Sequence, residues 1–162
     1  MTYKTNKFSL FQTSNAPTQQ TISTTYQEIT GSRCNITLKQ QTSDFIYKFI
    51  FYTSVYYISG SNYDATFIHV KLQKSNDNFS SNIVDMPGKQ FNFSGDTIER
   101  PDHFYSTCNS FFIIKNLDAE YLRLVARSYS TSNKTNLHKV EYLDGGVANG
   151  VIFNPTLIVA EI

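Results

Sequence analysis

Between Phe45 and Tyr57 the chain reads Phe-Ile-Tyr-Lys-Phe-Ile-Phe-Tyr-Thr-Ser-Val-Tyr-Tyr, a run of β-branched and aromatic residues with one charge and neither Gly nor Pro. Such a run predicts a strand. Its odd positions (Phe45, Tyr47, Phe49, Phe51, Thr53, Val55, Tyr57) and its even positions (Ile46, Lys48, Ile50, Tyr52, Ser54, Tyr56) are both largely apolar or aromatic. A half-solvated antiparallel strand would alternate instead. Both faces therefore need cover, one from a packed sheet and the other from another chain.

The rest of the chain reads as shorter strands. Thr21 to Ser23 and Tyr26 to Thr30 precede a Gly31-Ser32 turn. In Arg33 to Leu38, Cys34, Ile36 and Leu38 alternate with polar residues, and in Thr66 to Lys74, Ile68, Val70 and Leu72 do the same. From Ser75 to His103 the chain is polar and broken by Pro87-Gly88, Ser94-Gly95-Asp96 and Arg100-Pro101, with short strand signals only at Ile83-Val84 and Lys89 to Phe93. Ser110 to Lys115 and Glu120 to Arg127 read as a hairpin about Asn116-Leu117-Asp118-Ala119. Leu137 to Leu143 is followed by turn signals at Asp144-Gly145-Gly146 and Asn149-Gly150. Thr156 to Ile162, entered through Asn154-Pro155, closes the chain. With no helical periodicity and no internal repeat, the expected fold is all-β, a single jelly-roll β-sandwich of about 8–10 antiparallel strands. It is expected to span residues 19–162, preceded by an extended arm at residues 1–18. In the arm Phe8, Leu10 and Phe11 are spaced as a strand docking on a partner would be, against the alternative of a disordered terminus.

Composition narrows the function classes. A chain of 162 residues suits one domain with a core large enough to fold without metals or disulfides. A net charge of +1, with Lys4 and Lys7 the only basic residues before Arg33, lacks the field that neutralises a nucleic-acid backbone. No run of eighteen apolar residues predicts membrane insertion, and Met1 to Lys7 lacks the apolar core of a signal peptide, so synthesis in the cytoplasm is expected. Cys34 and Cys108 are expected as two free, buried thiols.

No constellation announces a reaction. His69, His103 and His138 stand more than 30 residues apart on different elements, unlike the clustered ligands of a metal site. There is no G-x-S-x-G elbow, and Gly145-Gly146 to Gly150 lacks the Lys-Ser/Thr continuation of a phosphate loop. Asp96, Glu99 and Asp102 lack the ligand spacing of a calcium loop and read as a solvated segment. Sequons at Asn35, Asn78, Asn92 and Asn133 are expected unmodified in a chain without a secretory signal. The expectation is a non-enzyme with no catalytic residue, metal or cofactor.

In order along the chain, three stretches resemble the tumour-necrosis-factor and C1q-like jelly roll. They are Arg33-Cys34-Asn35-Ile36-Thr37 leading to Tyr47-Lys48-Phe49-Ile50-Phe51, the segment Phe111 to Ala126, and the apolar closing strand Asn154 to Ile162. The Gly of the family's usual hairpin turn is absent from Asn116 to Ala119. The resemblance implies a homotrimer whose inner sheets pack around a threefold axis, and binding in place of catalysis. In composition and style the chain is similar to jelly-roll modules of large virus particles and viral fibres.

Oligomer contacts are accordingly expected at Tyr47, Phe49, Phe51 and Tyr57 on the long strand and at Tyr121, Arg123 and Val125 on the later one, since aromatic residues and Arg are enriched at interfaces. Glu161 is the expected carboxylate for Arg123. Phe8, Leu10 and Phe11 would dock the arm on other particle proteins, and surface loops would meet a receptor or glycan. The expected function is that of a trimeric structural and binding module of a virion, a capsid or fibre-head protein made in the host cytoplasm. A secreted C1q-like signalling ligand and a metal-dependent cupin-like enzyme are the alternatives.

Overall fold

The structure, a computed structural model, describes residues 9–13, 19–36, 43–57, 66–93, 103–129, 133–144 and 147–162. The long aromatic run forms β5 (Ser43–Tyr57), which pairs along one edge with β8 (His103–Leu117). Its other edge is shared by β13 (Thr156–Glu161), against Phe45 to Ile50, and by β10 (Asn133–Leu137), against Thr53 to Tyr57. Outside these lie β1 (Ser9–Thr13), on β13, and β2 (Gln20–Ile22), on β10. The second sheet is built on β9 (Tyr121–Ser128), with β6 (Thr66–Ser75) and then β7 (Val84–Phe93) to one side. Two short strands, β3 (Gln27–Glu28) and β4 (Cys34–Asn35), share its other edge. A separate hairpin pairs β11 (Lys139–Asp144) with β12 (Val147–Ile152).

Numbering β1, β4, β5, β6, β7, β8, β9 and β13 as first to eighth, one sheet runs first-eighth-third-sixth and the other second-seventh-fourth-fifth, every neighbour antiparallel. That is the strand order of a jelly roll. The protein is an all-β sandwich of two packed antiparallel sheets.

The core resolves the ambiguity of the organising strand. Phe45, Tyr47, Phe49 and Phe51 point between the sheets and are buried, meeting Ile68, Val70 and Leu72 of β6 and Leu122, Leu124 and Ala126 of β9 in one cluster. The rings of Phe49 and Phe51 lie 5.6 Å apart, and Phe91 meets Phe51 edge-on at 6.1 Å. Tyr47 can be fully buried because its hydroxyl donates to the Ser32 carbonyl at 2.6 Å, satisfying the polar end of the ring. Ile46, Lys48, Ile50 and Tyr52, on the opposite face, are half-buried.

Several local expectations are corrected. Residues 110 to 127 are not a hairpin: β8 pairs with β5 and β9 with β6, and the short link from Leu117 to Tyr121 carries the chain from one sheet to the other, with Asn116 at φ 49°. The expected strand at Leu137 to Leu143 is interrupted at His138, whose φ of 67° turns the chain out of the first sheet and into β11. Asn149-Gly150 is not a turn but lies inside β12. Residues 9–13 are not a free arm but a strand of this chain's own sheet, with Leu10 packed against the core. Phe8 lies outside the described residues.

The polar stretch after Ser75 contains a full strand. In β7 the register moves from Lys71 opposite Gly88 to Gln73 opposite Asp85, so that Met86 and Pro87 together oppose Leu72 as a bulge. Pro87 is tolerated because β7 is an edge strand. Gly88 is required by space, since a Cβ there would stand 2.6 Å from the Val70 carbonyl oxygen. Gly88→Ala is expected to lower stability by about 1–3 kcal/mol through forced separation of β6 and β7. A lower urea midpoint at unchanged m would show it.

Candidate functional site

The outward face of the first sheet is apolar at one end and covered at the other. One row across the strands holds Ile113, Ile46 and Ala160, and the next holds Phe111, Lys48, Ile158 and Phe11. Phe11 is 71% and Ile113 57% exposed, with Phe111 also exposed, although all three lie on regular strands. At the other end the same face is closed by the chain itself. Phe153 stacks on Tyr52 at 4.4 Å, and β11 lies against β5. Ser54, Asn136 and His138 are buried there. The His138 amide donates to the Tyr52 carbonyl at 2.9 Å, and its own carbonyl accepts from the Phe153 amide at 2.7 Å. Neither ring nitrogen has a hydrogen-bond partner, and burial pushes the imidazole pKa down to about 4.

The outward face of the second sheet is polar, and one hydrogen-bonded chain crosses it. Arg33 pairs with Glu28, and Glu28 accepts from Arg123 Nη1 at 3.1 Å. Arg123 Nε donates to Gln73 Oε1 at 2.8 Å, Gln73 Nε2 donates to Asp85 at 2.7 Å, and Lys71 Nζ reaches the other Asp85 oxygen at 2.5 Å. Lys71 beside it holds the Asp85 carboxyl below the usual carboxylate range. The Lys71 ammonium also lies 4.1 Å from the Tyr26 ring centre. To reach that ring Lys71 must cross β9, which explains why Val125, though outward in register, is buried.

The loop after β6 closes the lower end of this face. Asp77 accepts from the amides of Ser81 and Asn82, each at 3.0 Å, and from the hydroxyls of Ser75 and Ser81, which hold its carboxyl well below the usual range. The loop places Asn78 and Phe79 at φ of 55° and 65° and lays the Phe79 ring under the Arg123 guanidinium at 4.1 Å. At the upper end Arg127, His69 and Gln90 form a row, with the Phe67 and Tyr129 rings 4.1 Å apart above it.

The expected interface is corrected by this arrangement. Tyr47, Phe49 and Phe51 are core residues and meet no neighbour, because the odd face of β5 is the one the second sheet covers. The backbone of Tyr57 pairs with Asn133, and its side chain lies outside the described residues. Tyr121 and Arg123 do face outward, but on the second sheet, away from the apolar face of the first, and Val125 is buried between them and Arg127. Arg123 takes its carboxylate from Glu28 of the same chain and not from Glu161, which accepts from Ser43 Oγ at 2.8 Å in the first sheet.

Of the histidines, His69 lies on the second sheet and His138 on the first, and the side chain of His103 is outside the described residues, as are Asp96, Glu99 and Asp102. No group of three or more His, Cys, Asp or Glu able to hold a metal occurs among the described residues. Cys34 and Cys108 are buried and unpaired, and desolvation pushes both thiols up to about 12, which leaves them thiols at neutral pH. The surface residues that sequence reasoning missed are the even partners of the aromatic run, with Phe111, Ile113 and Ile158. Their alternation was visible, but not which phase faced outward.

No protein-family model matches the chain, and no curated protein matches it. Among solved structures there is a likeness to dimeric latent PorU from Porphyromonas gingivalis, at 9% identity and a TM-score of 0.45 over 96% of this chain. The chain spans 12% of the length of that protein. A likeness at this level carries no statement about function.

Proposed function

We propose that the protein is a non-enzymatic structural and binding module that assembles as a homotrimer through the outward face of its first sheet. The observation that carries this reading is the row of Phe111, Ile158 and Phe11 beside Ile113 and Ile46, an apolar surface on regular strands that soluble monomers seldom leave open. The resemblance to the tumour-necrosis-factor and C1q-like jelly roll supports a threefold arrangement, since it implies inner sheets packed around a threefold axis, and the apolar patch here lies on the sheet that contains β1, β13, β5 and β8. Lys48, the one charge within the patch, has a stem long enough to line apolar contacts while its ammonium reaches the rim. The similarity in composition to modules of viral particles extends the reading to a virion, where the trimer would serve as a capsid or fibre-head component.

Ile113→Lys tests the assembly without touching the core, because Ile113 is more than half exposed in the single chain. The wild type is expected to sediment as a trimer of the 18.5 kDa chain and the variant as a monomer with unchanged circular dichroism. Each contact would otherwise enclose an unpaired ammonium, at a cost of roughly several kcal/mol. A wild type that is monomeric at tens of micromolar concentration would remove the reading.

A further inference from the structure

The upper end of the second sheet's outward face offers a site that is complete within one chain and independent of the trimer contact. There Tyr26, His69, Lys71, Met86, Gly88 and Gln90 line an open recess of ≈ 340 Å³. This is the lower end of the range for small-molecule sites, room for one ring-sized group. Gly88 brings no side chain to the recess, and the bulge at Met86 and Pro87 bends the strand around it.

Arg127 stands beside this recess and differs from the other cations of the face. Arg33 and Arg123 share Glu28, Lys71 has Asp85, and Lys89, which also lines the recess, lies over the Phe112 ring at 5.3 Å. Arg127 has no carboxylate within ion-pair distance among the described residues, and its Nε is buried without a hydrogen-bond partner. Its guanidinium lies 5.1 Å from the Tyr26 ring centre, and its Nη2 lies 3.4 Å from His69 Nδ1. With Nδ1 facing a donor, the His69 proton is assigned to Nε2, which donates to Gln90 Oε1 at 2.8 Å. Gln90 Nε2 then donates to Asn92 Oδ1 at 2.5 Å. The row is thereby held in one orientation, with its positive charge at the Arg127 end. Beside it the Phe67 and Tyr129 rings lie together, and Tyr129 is 64% exposed.

We propose that the surface running from this recess across Arg127 to the neighbouring ring pair binds a carboxylate-bearing saccharide, with the carboxylate on the Arg127 guanidinium and a sugar face against the Tyr129 ring. The guanidinium supplies the paired donors that match a carboxylate, and a cation without a partner gains most from receiving one. The exposed Tyr129 ring, backed by half-buried Phe67, matches the C–H face of a sugar, and the side-chain amides of Gln90 and Asn92 match its hydroxyl groups. An extended acidic peptide fits less well. It would be held by main-chain hydrogen bonds at a strand edge, and the edge beside this recess is the outer side of β7, whereas Arg127 and Phe67 stand on β9 and β6, whose main-chain groups are spent on the ladders beneath this face.

The test uses the full-length chain, amide NMR shifts and three probes: a glucuronate-terminated disaccharide, its methyl ester, and an oligoglutamate peptide. Saturable shifts at His69, Gln90, Arg127 and Tyr129 are expected with the acid, together with binding at least tenfold weaker for the ester. Arg127→Gln, which keeps an amide donor but removes the charge, is expected to weaken the acid at least tenfold and leave the ester unchanged. Its melting temperature should match the wild type. Equal binding of acid and ester, no saturable shift with the acid up to tens of millimolar, or an Arg127→Gln variant that binds the acid as before would each overturn the proposal. Tighter binding of the peptide than of the saccharide at the same residues would overturn it in favour of a protein ligand. If Arg127→Gln melts early, Tyr129→Ala is read in its place, and unaltered acid binding by that exposed variant likewise overturns the site.

Discussion

Phe49→Ala is expected to lower the unfolding free energy by about 3–5 kcal/mol, the largest loss for any single truncation in the long strand. Phe49 is fully buried at the centre of the sandwich, flanked in register by Leu157 of β13 and Ser110 of β8. Its ring neighbour Phe51 is itself held edge-on by Phe91, so neither can swing into the space a missing ring would leave. The backbone there is clamped by ladders on both edges, which limits collapse and leaves most of the cavity open. The adjacent Ile50→Ala removes a half-buried side chain from the outward face and should cost under about 1.5 kcal/mol in dilute protein. Urea denaturation of both variants at equal concentration is the measurement. A Phe49→Ala loss below about 1 kcal/mol would mean that the odd face of β5 is not the core face.

The contrast between Phe49 and Ile50 also shows how far the fold was legible in the residues. The alternating pattern at residues 66–74 marked a strand and its inner positions, Ile68, Val70 and Leu72, correctly, because that face is apolar while the other carries His69 and Lys71. The run at 45–57 marked a strand but carried no phase, since Tyr47 and Phe49 are as apolar as Ile46 and Ile50. Only the second sheet decides between them, and that contact links residues far apart in the chain. The same non-locality misplaced the Arg123 partner. Glu28 and Glu161 are both carboxylates at strand ends, and which one lies across from Arg123 depends on β3 pairing with β9, a contact between a two-residue strand and one nearly a hundred residues later. Apparent hairpins fail in a jelly roll for a related reason, because consecutive strands such as β8 and β9 enter different sheets. β7 was hidden because Pro87 and Gly88 are turn residues in most contexts, and an edge position with a bulge is where they become compatible with a strand. The upper recess left no motif at all: Tyr26, His69, Gln90 and Arg127 come from four strands or their margins.

Acidification from pH 7 to pH 4 is expected to lower stability by about 3 kcal/mol through His138 alone. The imidazole is buried, has no hydrogen-bond partner at either nitrogen, and is displaced from its usual 6.5 to about 4 by desolvation of the charged form. The neutral ring is therefore the species the folded chain accommodates. Above pH 6.5 both states are neutral and the group contributes no pH dependence. Between about 6.5 and 4 the unfolded chain holds a proton that the folded chain does not, so stability falls by about 1.4 kcal/mol for each unit of pH lost. Below about 4 both states are protonated, and the loss from this residue stops growing. The carboxylates act in a different window. Asp44, Asp77, Asp85 and Asp118 all have lowered pKa values, from their hydrogen bonds to Lys115, to Ser75 and Ser81, to Lys71 and to Lys74, respectively. Their contribution is present above the ordinary carboxylate value and is lost only as pH falls below about 4. The two sets separate cleanly on a pH axis. His138→Asn provides the control, because Asn is among the residues that best tolerate a φ of 67° and does not titrate. Urea midpoints at half-unit steps from pH 7.5 to 4.5 should fall steadily for the wild type and stay nearly flat for the variant. Parallel curves would show that His138 takes up its proton in the folded chain as readily as in the unfolded one, and that the space behind Tyr52 and Phe153 admits water.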